Sequence, residues 1–153
     1  MSFEEKIAEL GIEIPEVPMP LAAYVPAVQA GELIFSSGQL PFVKGELKYK
    51  GKLGIDFTVE QGYEAAKACV VNCLAAIKSV IGSLDDIEQV VKLTGYVNSA
   101  PGFTSQPLVI NGASELLVEI FGEKGKHARA AVGVNELPLG AAAEVEMIVK
   151  IKV

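Results

Sequence analysis

An arginine and a glutamate separated by a turn are the residues here whose types and spacing suggest chemistry. Arg129 stands at the start of a predicted strand, within His127-Ala128-Arg129-Ala130-Ala131-Val132-Gly133-Val134. Glu144 stands near the start of the next, Ala143-Glu144-Val145-Glu146-Met147-Ile148-Val149, beyond the turn signal Leu137-Pro138-Leu139-Gly140. A guanidinium presents parallel N–H donors that match both oxygens of a carboxylate, a geometry lysine does not copy. A nearby carboxylate can take a proton from water. The pair therefore suits the binding of a small carboxylic acid with a water activated beside it. Each residue also has a plainer reading. Arg129 is then a surface arginine at a strand start, and Glu144 a solvated carboxylate on a polar strand face. His127 titrates near neutrality and lies two residues from Arg129. It is read as a loop histidine without a direct role.

Two long helices must position these strands. The first opens at Thr58-Val59-Glu60-Gln61, a capping box in which hydroxyl and amide side chains satisfy each other's free backbone N–H groups. Its apolar stripe is Tyr63, Ala66, Val70, Cys73, Leu74, Ile77 and Ile81, and Gly82 stops it. The second starts near Gln106-Pro107, carries the stripe Val109, Ala113, Leu116, Leu117, Ile120, and ends at Gly122. Asn111-Gly112 inside it also reads as a turn, or as a place where another backbone comes close.

Strands are expected at 22–28 and 33–37, joined by the hairpin turn Gln29-Ala30-Gly31-Glu32, and at 90–98. Residues 39–56, with Gly45, Gly51 and Gly54, read as a long loop with at most a short strand. Strands 129–135 and 143–153 are expected to close the sheet as a hairpin. The last one alternates, with Val145, Met147, Val149, Ile151 and Val153 on one face and Glu144, Glu146, Lys150 and Lys152 on the other. This order implies an α+β sandwich, a mixed sheet with two long helices on one face. The open face, assigned Ile34, Ser36, Tyr96, Val132, Val134 and Ile148, is half apolar and is expected to be an interface between copies. Residues 1–20 are expected to add a short helix (3–10) and a linker marked by Pro15, Pro18 and Pro20 before a domain spanning 21–153.

Composition narrows the function classes. The chain has 153 residues, half of them apolar, enough for one real core. Its net charge is −6 and its pI about 4.8, which sets it against nucleic acid as a partner. No stretch is apolar for long enough to span a bilayer, and the N-terminus lacks a secretory pattern, so a cytoplasmic protein is expected. Cys69 and Cys73 are four apart on the first helix, about 6 Å between Cα atoms, and read as buried thiols rather than a bridge or metal site.

Several pieces, in order, resemble the reactive-intermediate deaminase family (RidA, or YjgF-like, often named L-PSP endoribonucleases). These are Ala23-Tyr24-Val25-Pro26-Ala27-Val28, Leu33-Ile34-Phe35-Ser36-Ser37-Gly38-Gln39-Leu40-Pro41, Leu84-Asp85-Asp86-Ile87-Glu88-Gln89-Val90-Val91-Lys92, and Ala128-Arg129-Ala130-Ala131-Val132. Leu137-Pro138 and Val145-Glu146-Met147-Ile148 complete the match, over about residues 21–153.

The resemblance implies a chorismate-mutase-like fold and a homotrimer with a central β-barrel and clefts between subunits. It implies hydrolysis of enamine and imine acids of the 2-aminoacrylate type to 2-keto acids and ammonia, with no metal or organic cofactor. Carried over by position, Arg129 clamps the substrate carboxylate and Glu144 assists the water. Tyr24, Ser37 and Gly38 line the cleft. Where the family often has cysteine this chain has Ala131, which leaves a backbone carbonyl but no thiol. Where the family often has proline, two residues before the arginine, it has His127. The 111–116 helix segment and the 42–56 loop also depart from the family. Two other readings stay open on the same scaffold: a non-catalytic module that binds small carboxylates, and an endoribonuclease, which the acidic charge and single histidine oppose.

Overall fold

The computed structural model describes residues 1–17 and 22–153. Pro18 and Pro20 of the expected linker lie outside the described residues. Among the described residues seven strands and three α-helices form a single layer of helices on a five-stranded sheet, with a small two-stranded hairpin beside it. The strands are β1 (Ala27–Ala30), β2 (Leu33–Ser36), β3 (Phe42–Val43), β4 (Glu46–Leu47), β5 (Ile87–Asn98), β6 (Ala128–Val134) and β7 (Ala143–Ile151). The helices are α1 (Phe3–Glu9), α2 (Val59–Ile81) and α3 (Gln106–Phe121).

The two long helices follow from their end signals. Thr58 Oγ1 accepts from the Gln61 N–H at 3.3 Å, and Gln61 Oε1 accepts from the Thr58 N–H at 2.9 Å, so α2 begins with the expected capping box. Gly82 and Gly122 terminate α2 and α3. The small residues of α2, Ala65, Ala66, Cys69, Cys73 and Ala76, are buried against the sheet. The thiols of Cys69 and Cys73 reach the Ala143 and Val145 carbonyls at 3.6 and 3.1 Å. Asn111-Gly112 is helical after all: a Cβ on Gly112 would stand 2.0 Å from the Tyr63 carbonyl oxygen, so the glycine lets α3 lie against α2.

The sheet order is β1-β2-β7-β5-β6. This corrects the expected closing hairpin. β6 and β7 are neighbours in sequence but not in space, because β5 lies between them, parallel to β6 and antiparallel to β7. The reason is topological. β5, α3 and β6 make a crossover that sets β6 parallel to β5 at the sheet's edge, and β7 pairs on the other side of β5, where it also reaches β2.

Other boundaries also shift. β1 begins at Ala27, so Tyr24 precedes the strand. The hairpin turn is the two residues Gly31 and Glu32. The 39–56 segment holds the β3–β4 hairpin. β7 stops at Ile151, leaving Val153 outside it.

Ile34 and Ser36 face the helices and are buried, while Phe35 faces out. The open face carries Val28, Phe35, Tyr96, Ile148 and Val132 among Lys92, Glu144, Glu146 and Lys150. Val28, Phe35 and Val132 are 52%, 40% and 44% exposed, an apolar surface that no other described residues cover.

At the N-terminus, α1 docks on the body. Ile7 joins the core, and Glu4 accepts from the Leu84 N–H and pairs with Lys78. No helix is long and apolar enough to cross a membrane among the described residues.

Candidate active site

The strand register decides where each candidate residue stands. Arg129 is the Cα partner of Leu93, which pairs onward with Met147, three residues along β7 from Glu144. With strands about 4.8 Å apart and about 3.3 Å per residue, the Cα atoms of Arg129 and Glu144 are about 14 Å apart. Their side chains also lie on opposite faces. Arg129 shares the helix-facing side with buried Leu93, and Glu144 shares the open side with Tyr96. A single chain therefore does not bring these two residues together.

It places them instead in two separate clusters of candidate residues. The first surrounds Glu144. Beyond β2 the chain runs past β7, where Gln39 and Val145 exchange backbone hydrogen bonds. Gly38 is pressed against Glu144 there: an added Cβ would meet the carboxylate oxygen Oε1 at 2.4 Å. Ser37 donates its hydroxyl to the Val25 carbonyl at 2.6 Å, and its N–H to the Pro26 carbonyl at 2.7 Å, fixing the segment that carries Tyr24. Tyr24 itself is 60% exposed. Ser37, Gly38 and Glu144 are thus brought to one place, with Tyr24 on the adjoining segment.

Glu144 has no hydrogen-bond partner among the described residues, whereas its neighbour Glu146 accepts from the Tyr96 hydroxyl at 2.7 Å. Burial, and then the Glu146 charge, push the Glu144 carboxyl above its ordinary value. The Tyr96 hydroxyl is pushed up to about 12, chiefly by its hydrogen bond to Glu146. An under-partnered carboxylate with a raised pKa is suited to taking a proton from water.

The second cluster is at the outer edge of the sheet. Arg129 lies on β6, and its Nη1 donates to Asn111 Oδ1 at 2.8 Å and to Ser114 Oγ at 3.2 Å, both on α3. Asn111 and Ser114 are three apart and project from one side of the helix. Arg129 makes no ion pair among the described residues, unlike Lys52, Lys78 and Lys150. A guanidinium held by neutral partners keeps its charge available to an incoming anion. Ala131 follows on the same strand and the same face, beside Gly95 of β5.

His127 stands beside this cluster, hydrogen-bonded to Ser114. Its Nδ1 is 2.6 Å from the Gly125 carbonyl oxygen, and its Nε2 is 2.8 Å from Ser114 Oγ. Burial first, and the Arg129 charge second, lower its pKa, against an opposing pull from the Gly125 carbonyl. Asn111 and Ser114 went unseen in the sequence because Asn111-Gly112 reads as a turn. The available signal was a pair of polar residues at helical spacing ahead of an arginine.

The remaining chemistry-bearing groups are elsewhere. The Cys69 and Cys73 thiols are fully buried, and burial raises both pKa values, Cys73 to about 12, which leaves them protonated and inert. Among the described residues no group of three or more His, Cys, Asp or Glu side chains is placed to hold a metal. A cavity of about 600 Å³ between α2 and the β3–β4 hairpin, and another of about 140 Å³ on the open face, are lined by none of the candidate residues.

The chain is similar to several known proteins. A family model described as YjgF/chorismate mutase-like, whose description also names an endoribonuclease, matches residues 4–151. Protein TCP17 of Trypanosoma cruzi is 43% identical over 146 residues, which cover 95% of this chain and 91% of that protein. The crystal structure of Atu1372 from Agrobacterium tumefaciens, a protein described as having unknown function, is 43% identical and superposes with a TM-score of 0.91 over 99% of this chain and 93% of that one. A 2-iminobutanoate/2-iminopropanoate deaminase of Dermatophagoides farinae is 28% identical over 142 residues, 92% of this chain and 95% of that protein.

Proposed function

The chain belongs to the YjgF/chorismate mutase-like family, and on that premise we propose that it hydrolyses imine and enamine acids of the 2-aminoacrylate type to 2-keto acids and ammonia. The observation that carries this reading is Arg129: an arginine fixed by neutral side chains, without a carboxylate partner among the described residues. The name of the Dermatophagoides farinae relative supports the choice of imino acids.

The site forms between two copies in a homotrimer. One copy supplies Arg129 and the edge of β6 with Ala131. The other supplies Glu144 with Tyr24, Ser37 and Gly38. The exposed apolar positions Val28, Phe35 and Val132 on the open sheet face support the association, their cover being the neighbouring sheets of a central barrel.

In the proposed reaction Arg129 binds the substrate carboxylate and orients the imine carbon. Glu144 takes a proton from water as its oxygen bonds to that carbon. The C=N electron pair moves to nitrogen, which takes that proton back from Glu144; the new hydroxyl then passes its own proton by way of Glu144 to nitrogen as the C=O bond forms and the C–N bond breaks, releasing ammonia and the keto acid. An enamine first takes a proton on carbon to become the imine. The imine is already electrophilic, so holding it and presenting water are sufficient.

The test is keto-acid release from 2-aminoacrylate generated in situ. Acceleration by the wild type and its loss in Arg129→Ala are expected. Absence of acceleration across several imino acids would overturn the proposal. Thermal protection by 2-oxobutanoate without turnover would assign the scaffold to carboxylate binding alone.

A further inference from the structure

We propose that Asn111, Ser114 and His127 are positioning residues that lock one end of the Arg129 guanidinium and so present its side-on fork to the substrate carboxylate. This rests on Arg129 being the carboxylate clamp, and deepens that role by assigning the groups that aim it.

The geometry is specific about which nitrogen is held. Nη1 donates to two acceptors, Asn111 Oδ1 at 2.8 Å and Ser114 Oγ at 3.2 Å, and has two hydrogens with which to serve them. No hydrogen bond reaches Nε or Nη2 among the described residues. Their N–H groups lie parallel on the other side of the ion and match a carboxylate's two oxygens. The end-on fork needs an Nη1 hydrogen and competes with Asn111 and Ser114 for it. The Nε–Nη2 edge, which has no such competitor among the described residues, is the edge we assign to the ligand.

His127 orients the serine. The Gly125 carbonyl can only accept, so His127 Nδ1 carries the ring proton at 2.6 Å from it. In the neutral ring Nε2 is then an acceptor, and at 2.8 Å it takes the Ser114 hydroxyl hydrogen. That rotation turns a lone pair of Ser114 Oγ toward Arg129. The order of donation is Arg129 to Ser114, Ser114 to His127, and His127 to the Gly125 carbonyl. Every member is satisfied, and the ring's half-burial keeps it neutral.

The arrangement makes a prediction about which residue acts through which. Ser114→Ala removes one of two bonds to Nη1, and a loss of about tenfold in affinity for 2-oxobutanoate is expected. Asn111→Ala has a similar effect. Ser114→Thr keeps the hydroxyl and retains affinity. His127→Ala weakens binding, but adding it to Ser114→Ala weakens nothing further, because the histidine acts through the serine.

The experiment is a titration of the whole protein with 2-oxobutanoate, read by nitrogen-15 NMR of the Arg129 and His127 side chains and by calorimetry across these variants. In the free wild type the His127 ring is expected to carry its proton on Nδ1. On binding, the Arg129 Nε–H signal is expected to move and to exchange more slowly with water. A ring protonated on Nε2, an Nε–H that does not respond to bound ligand, or unchanged affinity in Ser114→Ala and Asn111→Ala while Arg129→Ala abolishes binding would overturn the positioning role and leave the clamp standing. Full binding by Arg129→Ala would overturn the clamp, and the positioning role with it. Ser114→Thr and the NMR signatures keep the test decisive even where an alanine variant unfolds.

Discussion

The β6 edge and the open side of β7 solve opposite problems with the same sheet. At the edge, a cation is gripped by neutral oxygens on a helix and given no counter-ion among the described residues. On β7, a carboxylate is half-buried beside another carboxylate, with no hydrogen-bond partner among the described residues. Each region is electrostatically incomplete, and the two lie on opposite faces with β5 between them. Arg129 and Glu144 are complementary in charge yet are kept from neutralising each other within one chain. That separation leaves each charge without an opposite one beside it among the described residues.

The comparison is broken most severely by removing the cation. Arg129→Ala is expected to lower kcat/KM by about a thousandfold, and Arg129→Lys by nearly as much, because the fork geometry is lost. Steady-state kinetics with 2-aminoacrylate check this.

Glu144→Gln is expected to lower kcat by about a hundredfold or more with little change in KM. It also carries a stability signature of its own. The folded pKa of Glu144 is raised, so the folded chain holds its proton longer than the unfolded one. Stability from this group is present below the ordinary carboxylate range and is lost as pH rises through the folded value. The glutamine variant is therefore expected to melt higher than wild type near neutral pH. The gap should close near about pH 4, as differential scanning calorimetry would record. An arginine-side variant should show no such crossing.

A smaller effect is expected at Gly38. A Cβ there would stand 2.4 Å from Glu144 Oε1 and must displace it. Gly38→Ala is expected to cost about ten- to a hundredfold in kcat while leaving Arg129-dependent binding of 2-oxobutanoate intact.

The smallest effect belongs to His127. Its folded pKa is lowered, so the unfolded chain takes up a proton first, and stability falls as pH drops below about 6.5 until the folded ring also protonates. The charge acting on the ring is Arg129, while the nearby Glu123 and Lys126 pair with each other at 2.9 Å. Urea midpoints between pH 7.5 and 5.5 should slope less in His127→Gln than in wild type.

Much of this was legible in the sequence, and the failures have physical causes. Helix ends are local events, so Thr58, Gln61, Gly82 and Gly122 marked them correctly. Strand phase in Leu33-Ile34-Phe35-Ser36 was not legible, because apolar residues occupy both faces and alternation cannot choose between them. Burial at Ile34 was settled instead by the two-residue turn and pairing with β7. The identity of Arg129 and Glu144 as candidates could be read from their types and neighbours, but not their separation. Proximity in sequence suggested a hairpin, and only the crossover through α3 reveals that β5 intervenes. The arginine's partners, Asn111 and Ser114, were hidden both by the turn-like Asn111-Gly112 pair and because their contact depends on which strand α3 packs against.

The central claim is that one working site takes its cation from one copy and its carboxylate from another, and subunit mixing tests it most directly. Arg129→Ala and Glu144→Gln chains are refolded together in equal amounts, and mixed assemblies are verified by native mass spectrometry. Each parent alone is expected to be inactive. If sites are shared between neighbours in a cyclic trimer, about a quarter of them in a random mixture pair an intact arginine with an intact glutamate, and about that fraction of wild-type activity returns. Verified mixed assemblies that remain as inactive as their parents would contradict the account.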